Sequence, residues 1–351
     1  MAKPTLRSAK VLGIALIGAL VLAFALGAAA ADSQAWLDAM RTASKAFSES
    51  RYDDTEQWLR VAVKEAEKFG PTDQRLVGTL GTLATVLYSQ GKLTEAAEVY
   101  KRTLAIVEKT LGPGHLRVAD NLNGLAQIYQ MQGKPAEAQP LLERALTIRE
   151  TALGPEHPEV ANSLNNLAAL YHSQRKFTQA ETAYRRALSI LEKVYGRHHL
   201  GVAYTLNNLG TVYAAQRKFP EAELVMKRAL TIRRDAHRQD NADVGASLDN
   251  LAELYNAQGR YAEGEVLLKE ALAIREKVRG PEHSEVALSL GHLGDLYMAQ
   301  RRYTEAEPLL ERALGILERS LGPEHPAVAN TLSNLGALYS AQGNYQKADE
   351  F

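Results

Sequence analysis

The sequence has no cysteine in 351 residues, which excludes disulfide cross-links and thiolate chemistry. It has no charge bias either: 41 Lys and Arg stand against 41 Asp and Glu. No basic surplus is available to neutralise phosphates, so no nucleic-acid partner is expected. Reaction-centre motifs are missing too. Gly91-Lys92 and Gly133-Lys134 lack the upstream glycine of a phosphate loop, and neither Gly-x-Ser-x-Gly nor His-Glu-x-x-His occurs. The sequence therefore predicts no enzyme activity, no cofactor and no metal.

One long uncharged run is present, from Val11 to Ala31, preceded by Lys3, Arg7 and Lys10. Ala28-Ala29-Ala30 and Ala29-Ala30-Ala31 both meet the small-x-small cleavage rule, so residues 1–31 read as an export signal. The 21 residues of the run would also span a bilayer, so an uncleaved anchor is the alternative. Cleavage places the protein in a bacterial periplasm or outside the cell. It removes three positive charges and leaves 38 basic and 41 acidic residues, a formal net charge of −3.

Beyond residue 31 the chain repeats. Leu153-Gly-Pro-Glu-His-Pro158 returns as Leu321-Gly-Pro-Glu-His-Pro326, and glycines recur at 70, 112, 154, 196, 280 and 322, a 42-residue beat with one degenerate copy near Arg238. A fixed period of this size marks a stacked array of one supersecondary unit. In the unit 158–196, Val160, Ala161, Leu164, Leu167, Ala168 and Tyr171 fall at helical spacing on one face. A break at residues 173–176 follows, where sister repeats carry Gly91, Gly133, Gly259 and Gly343. Thr178-x-x-Glu181, repeated as Thr304-x-x-Glu307, has the form of a capping box opening a second helix. Each unit is thus read as a pair of antiparallel helices. Small residues (Ala168, Ala180, Ala187) allow close helix approach. The tyrosine column Tyr129, Tyr171, Tyr213, Tyr255, Tyr297 and Tyr339 reads as core, with hydroxyls seeking backbone partners.

This pattern of leucine, small residue, tyrosine and alanines resembles the tetratricopeptide repeat. The phrases Leu164-Asn-Asn-Leu-Ala168, Ala187-Leu-Ser-Ile-Leu-Glu-Lys193 and Gly154-Pro-Glu-His-Pro158 are similar to the 42-residue repeats of kinesin light chains. The resemblance implies an all-α, right-handed superhelical solenoid over residues 32–351, with about seven helix pairs and an incomplete last unit. It further implies that first helices line a concave face that binds a peptide or protein. The first pair diverges, as an outer repeat must to shield the core. The last second helix, starting at Tyr345, stops at Phe351, which leaves Leu332, Leu335 and Leu338 incompletely covered. That makes a fragment of a longer array, or the recruiting region of a larger enzyme or signalling protein, the alternative reading.

Stepping by 42, one first-helix position reads Thr82, Gly124, Asn166, Asn208, Asn250, His292 and Asn334. Asparagine both donates and accepts, as an extended peptide backbone requires, and the matching asparagines of kinesin light chains contact cargo peptide. Asn166, Asn208, Asn250 and Asn334 are therefore the expected peptide contacts, followed by Asn123, Asn165, Asn207 and Asp249. The same stripe carries Asp120, Asp249, Glu253 and Asp295 and almost no base, so a neutral or basic segment fits better than an acidic tail. Arg185, Arg186, Lys227 and Arg228 read as solvated outer-face residues. The recurrent His115, His157, His199, His283 and His325 read as helix-start residues. Neighbouring units lie ~8–10 Å apart, whereas zinc ligands sit ~2 Å from the ion, and His198-His199 is the one local pair.

Overall fold

A computed structural model describes residues 33–49, 51–237 and 242–350. The signal or anchor expected at 1–31 lies outside them. Every regular element among the described residues is a helix, and none is long and apolar enough to cross a membrane. The chain divides into two compact units, residues 1–174 and 175–351.

In the first unit α1 (Gln34–Ser48) pairs with α2 (Tyr52–Glu67), α3 (Gln74–Ser89) with α4 (Leu93–Leu111), and α5 (Leu116–Met131) with α6 (Pro135–Leu153); α7 (Pro158–Ser173) follows. The second unit opens with α8 (Phe177–Tyr195). Three pairs follow: α9 (Leu200–Ala215) with α10 (Phe219–His237), α11 (Ala242–Ala257) with α12 (Tyr261–Arg279), and α13 (Ser284–Ala299) with α14 (Tyr303–Leu321). α15 (Pro326–Ala341) and the short α16 (Tyr345–Ala348) end the chain. Within each unit every pair packs on the next. From α3 to α15, first helices have 16 residues and second helices 19.

Local chemistry sets these lengths. His115, His157, His199, His283 and His325 each cap a first helix, with Nδ1 accepting from the N–H two residues on at 3.1 Å. The histidines thus do the work usually done by Ser, Thr, Asp or Asn. Second helices stop at Gly112, Gly154, Gly196, Gly280 and Gly322, whose φ of 81° to 87° only glycine adopts easily. The turn inside each pair also needs a left-handed residue. Gly91, Gly133, Gly259 and Gly343 supply it, but Arg175, Arg217 and Arg301 hold the same turn at φ 57° to 60°.

Two sequence readings are corrected. Thr178 and Thr304 lie inside their helices, and the N-caps Lys176 and Arg302 make no side-chain cap. The glutamates of these supposed capping boxes reach forward to the next repeat: Glu181 accepts from Lys218 at 2.9 Å, and Glu307 from Tyr339 at 2.8 Å and Lys347 at 3.1 Å. The hydroxyls of Tyr171, Tyr255, Tyr297 and Tyr339 likewise find preceding-repeat carboxylates, while that of Tyr213 accepts from Arg185 at 3.1 Å. Tyr171 donates to Glu143 (3.2 Å), Tyr255 to Glu223 (3.0 Å) and Tyr297 to Glu265 (2.9 Å). A cation then lies over each of three rings: Arg260 over Tyr255 at 3.9 Å, Arg302 over Tyr297 at 4.2 Å and Lys347 over Tyr339 at 4.1 Å.

The cores lie between successive pairs. In the first unit Trp36, Met40, Leu59, Leu80 and Leu87 are fully enclosed, and the Trp36 indole donates to Thr79 Oγ1 at 3.0 Å. In the second, Gly210 and Gly294 admit large neighbours, since a Cβ at these positions would come within 2.5 Å of Met226 and 2.6 Å of Leu310. Leu335 and Leu338 are fully buried in the Leu310–Tyr339 cluster, and Leu332 packs partly buried against the neighbouring cluster of Leu290, Ile316 and Val328, which corrects the open edge expected there. Arg185, Lys227 and Arg228 are also more than solvated: they meet Tyr213, Glu223 and Glu192.

Candidate peptide-binding face

First helices of successive pairs touch directly at α5 and α7 in the first unit and throughout the second, where α9 meets α11, α11 meets α13, and α13 meets α15. No pair of second helices among the described residues meets to that extent. The side on which helices converge is the inner side of a curved stack, so each unit presents its first helices there. α7, α9, α11, α13 and α15 contain no Lys or Arg, while α11 and α13 carry Asp249, Glu253 and Asp295.

The structure separates the two asparagine columns. Asn166, Asn208, Asn250 and Asn334 are partly exposed. The side-chain amides of Asn166, Asn208 and Asn250 make no hydrogen bond among the described residues, whereas Asn334 donates to Asp295 at 2.9 Å. Asn123, Asn165, Asn207 and Asp249 sit one residue earlier, a rotation of about 100° around the helix, and are only 6% to 9% exposed. They face the seam with neighbouring helices. Asn208 and Asn250, on α9 and α11, share a register with His292 and Asn334, on α13 and α15, one position per repeat in the second unit. Asn166 belongs to the first.

Three buried arginines, missed by the sequence reading, occupy this seam. Arg149 on α6 donates to Ser163 Oγ and to Asp120, each at 2.6 Å, and the Asn123 side-chain oxygen accepts from it with the amide oriented to suit both partners. Arg233 on α10 donates to Ser247 Oγ at 2.5 Å. Arg275 on α12 donates to Ser289 and, at 2.5 Å, to Asp249. Each thus links its own repeat to the next first helix. A signal existed in the sequence: arginine at this position goes with serine 14 residues on, whereas Leu191 and Leu317 go with Thr205 and Thr331. Those threonines bond back to Gly201 and Ala327 carbonyls of their own helices at 3.0 Å.

The Asp249 region is electrostatically coupled. Burial opposes ionisation of Asp249, but the neighbouring His292 imidazole and the Arg275 guanidinium win and hold its carboxyl below the usual range. His292, half exposed, has Nδ1 3.7 Å from Asp249. Desolvation works to lower its pKa, yet the adjacent Asp249 carboxylate raises it overall. Burial pushes the Asp295 carboxyl up. No group of three or more metal-ligating side chains occurs among the described residues.

The tetratricopeptide repeat profile matches residues 75–151, 136–193, 159–235, 243–297 and 285–351. No curated protein matches the sequence. Among solved structures, a putative kinesin light chain from Podosopora anserina with nearly identical TPR-like repeats is 28% identical, covering 59% of this chain and 97% of its own, with a TM-score of 0.51. BtubC (BKLC) from P. vanneervenii is 26% identical over 72% of this chain and 93% of its own, with a TM-score of 0.53. A tetratricopeptide repeat protein from Parabacteroides merdae shares the fold at 17% identity over 86% of this chain and 98% of its own, with a TM-score of 0.59. Repeat length, helix pairing and the profile matches agree: the chain belongs to the tetratricopeptide repeat family, with repeats of the kinesin light chain type.

Proposed function

We propose that this interaction-repeat protein is a non-catalytic adaptor that holds an extended partner segment along the inner face of its first helices. Free asparagine amides at the same position of three repeats, Asn166, Asn208 and Asn250, are the observation that carries this reading. They can donate to and accept from a peptide backbone without giving up an internal bond. Glu253 and Asp295, with no lysine or arginine on the same helices, favour a neutral or basic segment. Capture from an envelope fraction tests the site. The wild-type chain recovers a partner that the Asn208→Ala/Asn250→Ala variant, altered in the second unit alone, recovers at least about tenfold less; equal recovery by both removes the groove reading.

The same proposal places the adaptor outside the cytoplasm, delivered by residues 1–31, with a membrane contact only if that segment is retained as an anchor. Cell fractionation with N-terminal sequencing tests this: a periplasmic or secreted chain beginning near Asp32 supports export and cleavage, and an intact cytoplasmic chain removes it.

A further inference from the structure

One inter-repeat junction of the second unit departs from its sisters. Three others read Gly154-Pro-Glu-His157, Gly280-Pro-Glu-His283 and Gly322-Pro-Glu-His325; this one reads Gly196-Arg-His-His199. The fold does not require the change. Gly196 still ends its helix at φ 81°, and His199 still caps the next, accepting from Gly201 N–H at 3.1 Å. The proline and glutamate of the sister junctions have been exchanged for Arg197 and His198 while both structural roles are kept.

The surroundings change in the same sense. From Lys193 to Tyr204 there is no acidic residue, and residues 193–200 are all exposed. Large apolar side chains are displayed beside the charges: Val194 is 47% exposed, Tyr195 49%, Leu200 38% and Tyr204 51%. The Tyr195 ring stacks on His199 at 4.4 Å, 26° from parallel, which fixes its orientation. Leu200 and Tyr204 are four residues apart on α9 and share a helix face. Nearby Glu192 is already engaged by Arg228 at 2.5 Å, and Arg228 also donates to the Arg197 carbonyl at 3.0 Å. The Arg197 guanidinium itself has no ion pair among the described residues.

We propose that residues 193–204 form a second interaction surface, centred on this junction and meeting the asparagine face at Tyr204, four residues before Asn208 on α9, for a partner protein segment that combines acidic with aromatic or aliphatic side chains. Arginine and tyrosine are the residue types that anchor interfaces most strongly, and here they stand together without a neutralising carboxylate. A phosphate backbone would need a longer basic face than one junction offers, and it would leave the apolar side chains unused.

The sister junctions supply a variant expected to fold. A fluorescein-labelled peptide of alternating Glu and Phe residues should bind the full chain, more tightly than its Lys/Phe counterpart and more weakly as salt rises. Arg197→Pro/His198→Glu, which restores the sister sequence, should weaken that binding about tenfold or more while far-UV circular dichroism stays unchanged. If that variant loses helicity, Arg197→Glu alone replaces it, with the same expected loss. The proposal is overturned by no binding to the wild-type chain, by equal binding of both peptides, by binding that the folded variant retains, or by variant-sensitive binding of a single-stranded oligonucleotide in place of the peptide.

Discussion

The Tyr297 hydroxyl donates to the Glu265 carboxylate at 2.9 Å, across 32 residues of sequence. Glu265 also accepts from Arg302 and Lys269, each at 2.7 Å, and Arg302 covers the Tyr297 ring. The same rung recurs as Tyr255, Glu223 and Arg260. Each rung joins a second helix to the helix pair that follows it.

The rungs give the protein an acid-sensitive stability. The Glu223 carboxyl is held at about 2, first by its hydrogen bond from Arg260, and Glu265 at about 2, first by Lys269. Both folded-state values lie below the unfolded value of about 4.3, so ionisation favours the fold. The contribution is complete above about pH 4.3, declines as pH falls and is gone below about 2. Because the partners are partly exposed, each glutamate is worth about 1 kcal/mol. Urea unfolding across this range should show the wild type losing stability that a Glu223→Gln/Glu265→Gln variant lacks throughout; parallel curves would refute the assignment.

Removing Arg275 should be expensive, because Asp249 would be left charged and enclosed. Arg275→Leu is expected to lower unfolding free energy by about 3 kcal/mol. Adding Asp249→Asn and Ser289→Thr, which copies the Leu317–Thr331 solution found one repeat on in the same columns, should recover most of it. Chemical denaturation of the single and triple variants decides the matter.

Arg217→Gly should stabilise. The left-handed turn at φ 60° costs a side-chain-bearing residue about 1–2 kcal/mol, and glycine's extra unfolded-state freedom returns about 0.5–1 of this. A net gain of up to about 1 kcal/mol is expected from thermal unfolding, and a loss would show that the Arg217 side chain supports the turn.

His283→Ala removes an N-cap acceptor and should cost about 1 kcal/mol, whereas His283→Asn should restore it. Calorimetric comparison of the two variants separates capping from simple loss of side-chain volume.

The architecture was readable because one period repeats so many times: Leu167, Ala168 and Tyr171 mark the apolar stripe, Gly154 and Gly196 mark the stops, and each is confirmed by its sisters. The histidine caps followed from position alone. The lateral bonds did not. Thr178 and Glu181 have the spacing of a local cap, but Lys218, 37 residues away, competes for the carboxylate and wins. The seam arginines sit in a column otherwise filled by Leu191 and Leu317, and an apolar-stripe reading passes over them. The exposed and enclosed asparagines adjoin each other in the phrase Leu164-Asn-Asn-Leu167, and only the rotation of the helix tells Asn165 from Asn166.

Because the Glu223–Tyr255–Arg260 and Glu265–Tyr297–Arg302 rungs keep the same offsets, 32 residues to the tyrosine and 37 to the arginine, deletion or duplication of a whole 42-residue cassette here rejoins compatible halves at the splice. Tyrosine, glutamate and cation find replacements of the same kind. Array length can therefore drift there by whole cassettes with little penalty at the new seam, while insertion or deletion of even one residue within a cassette shifts every offset across it.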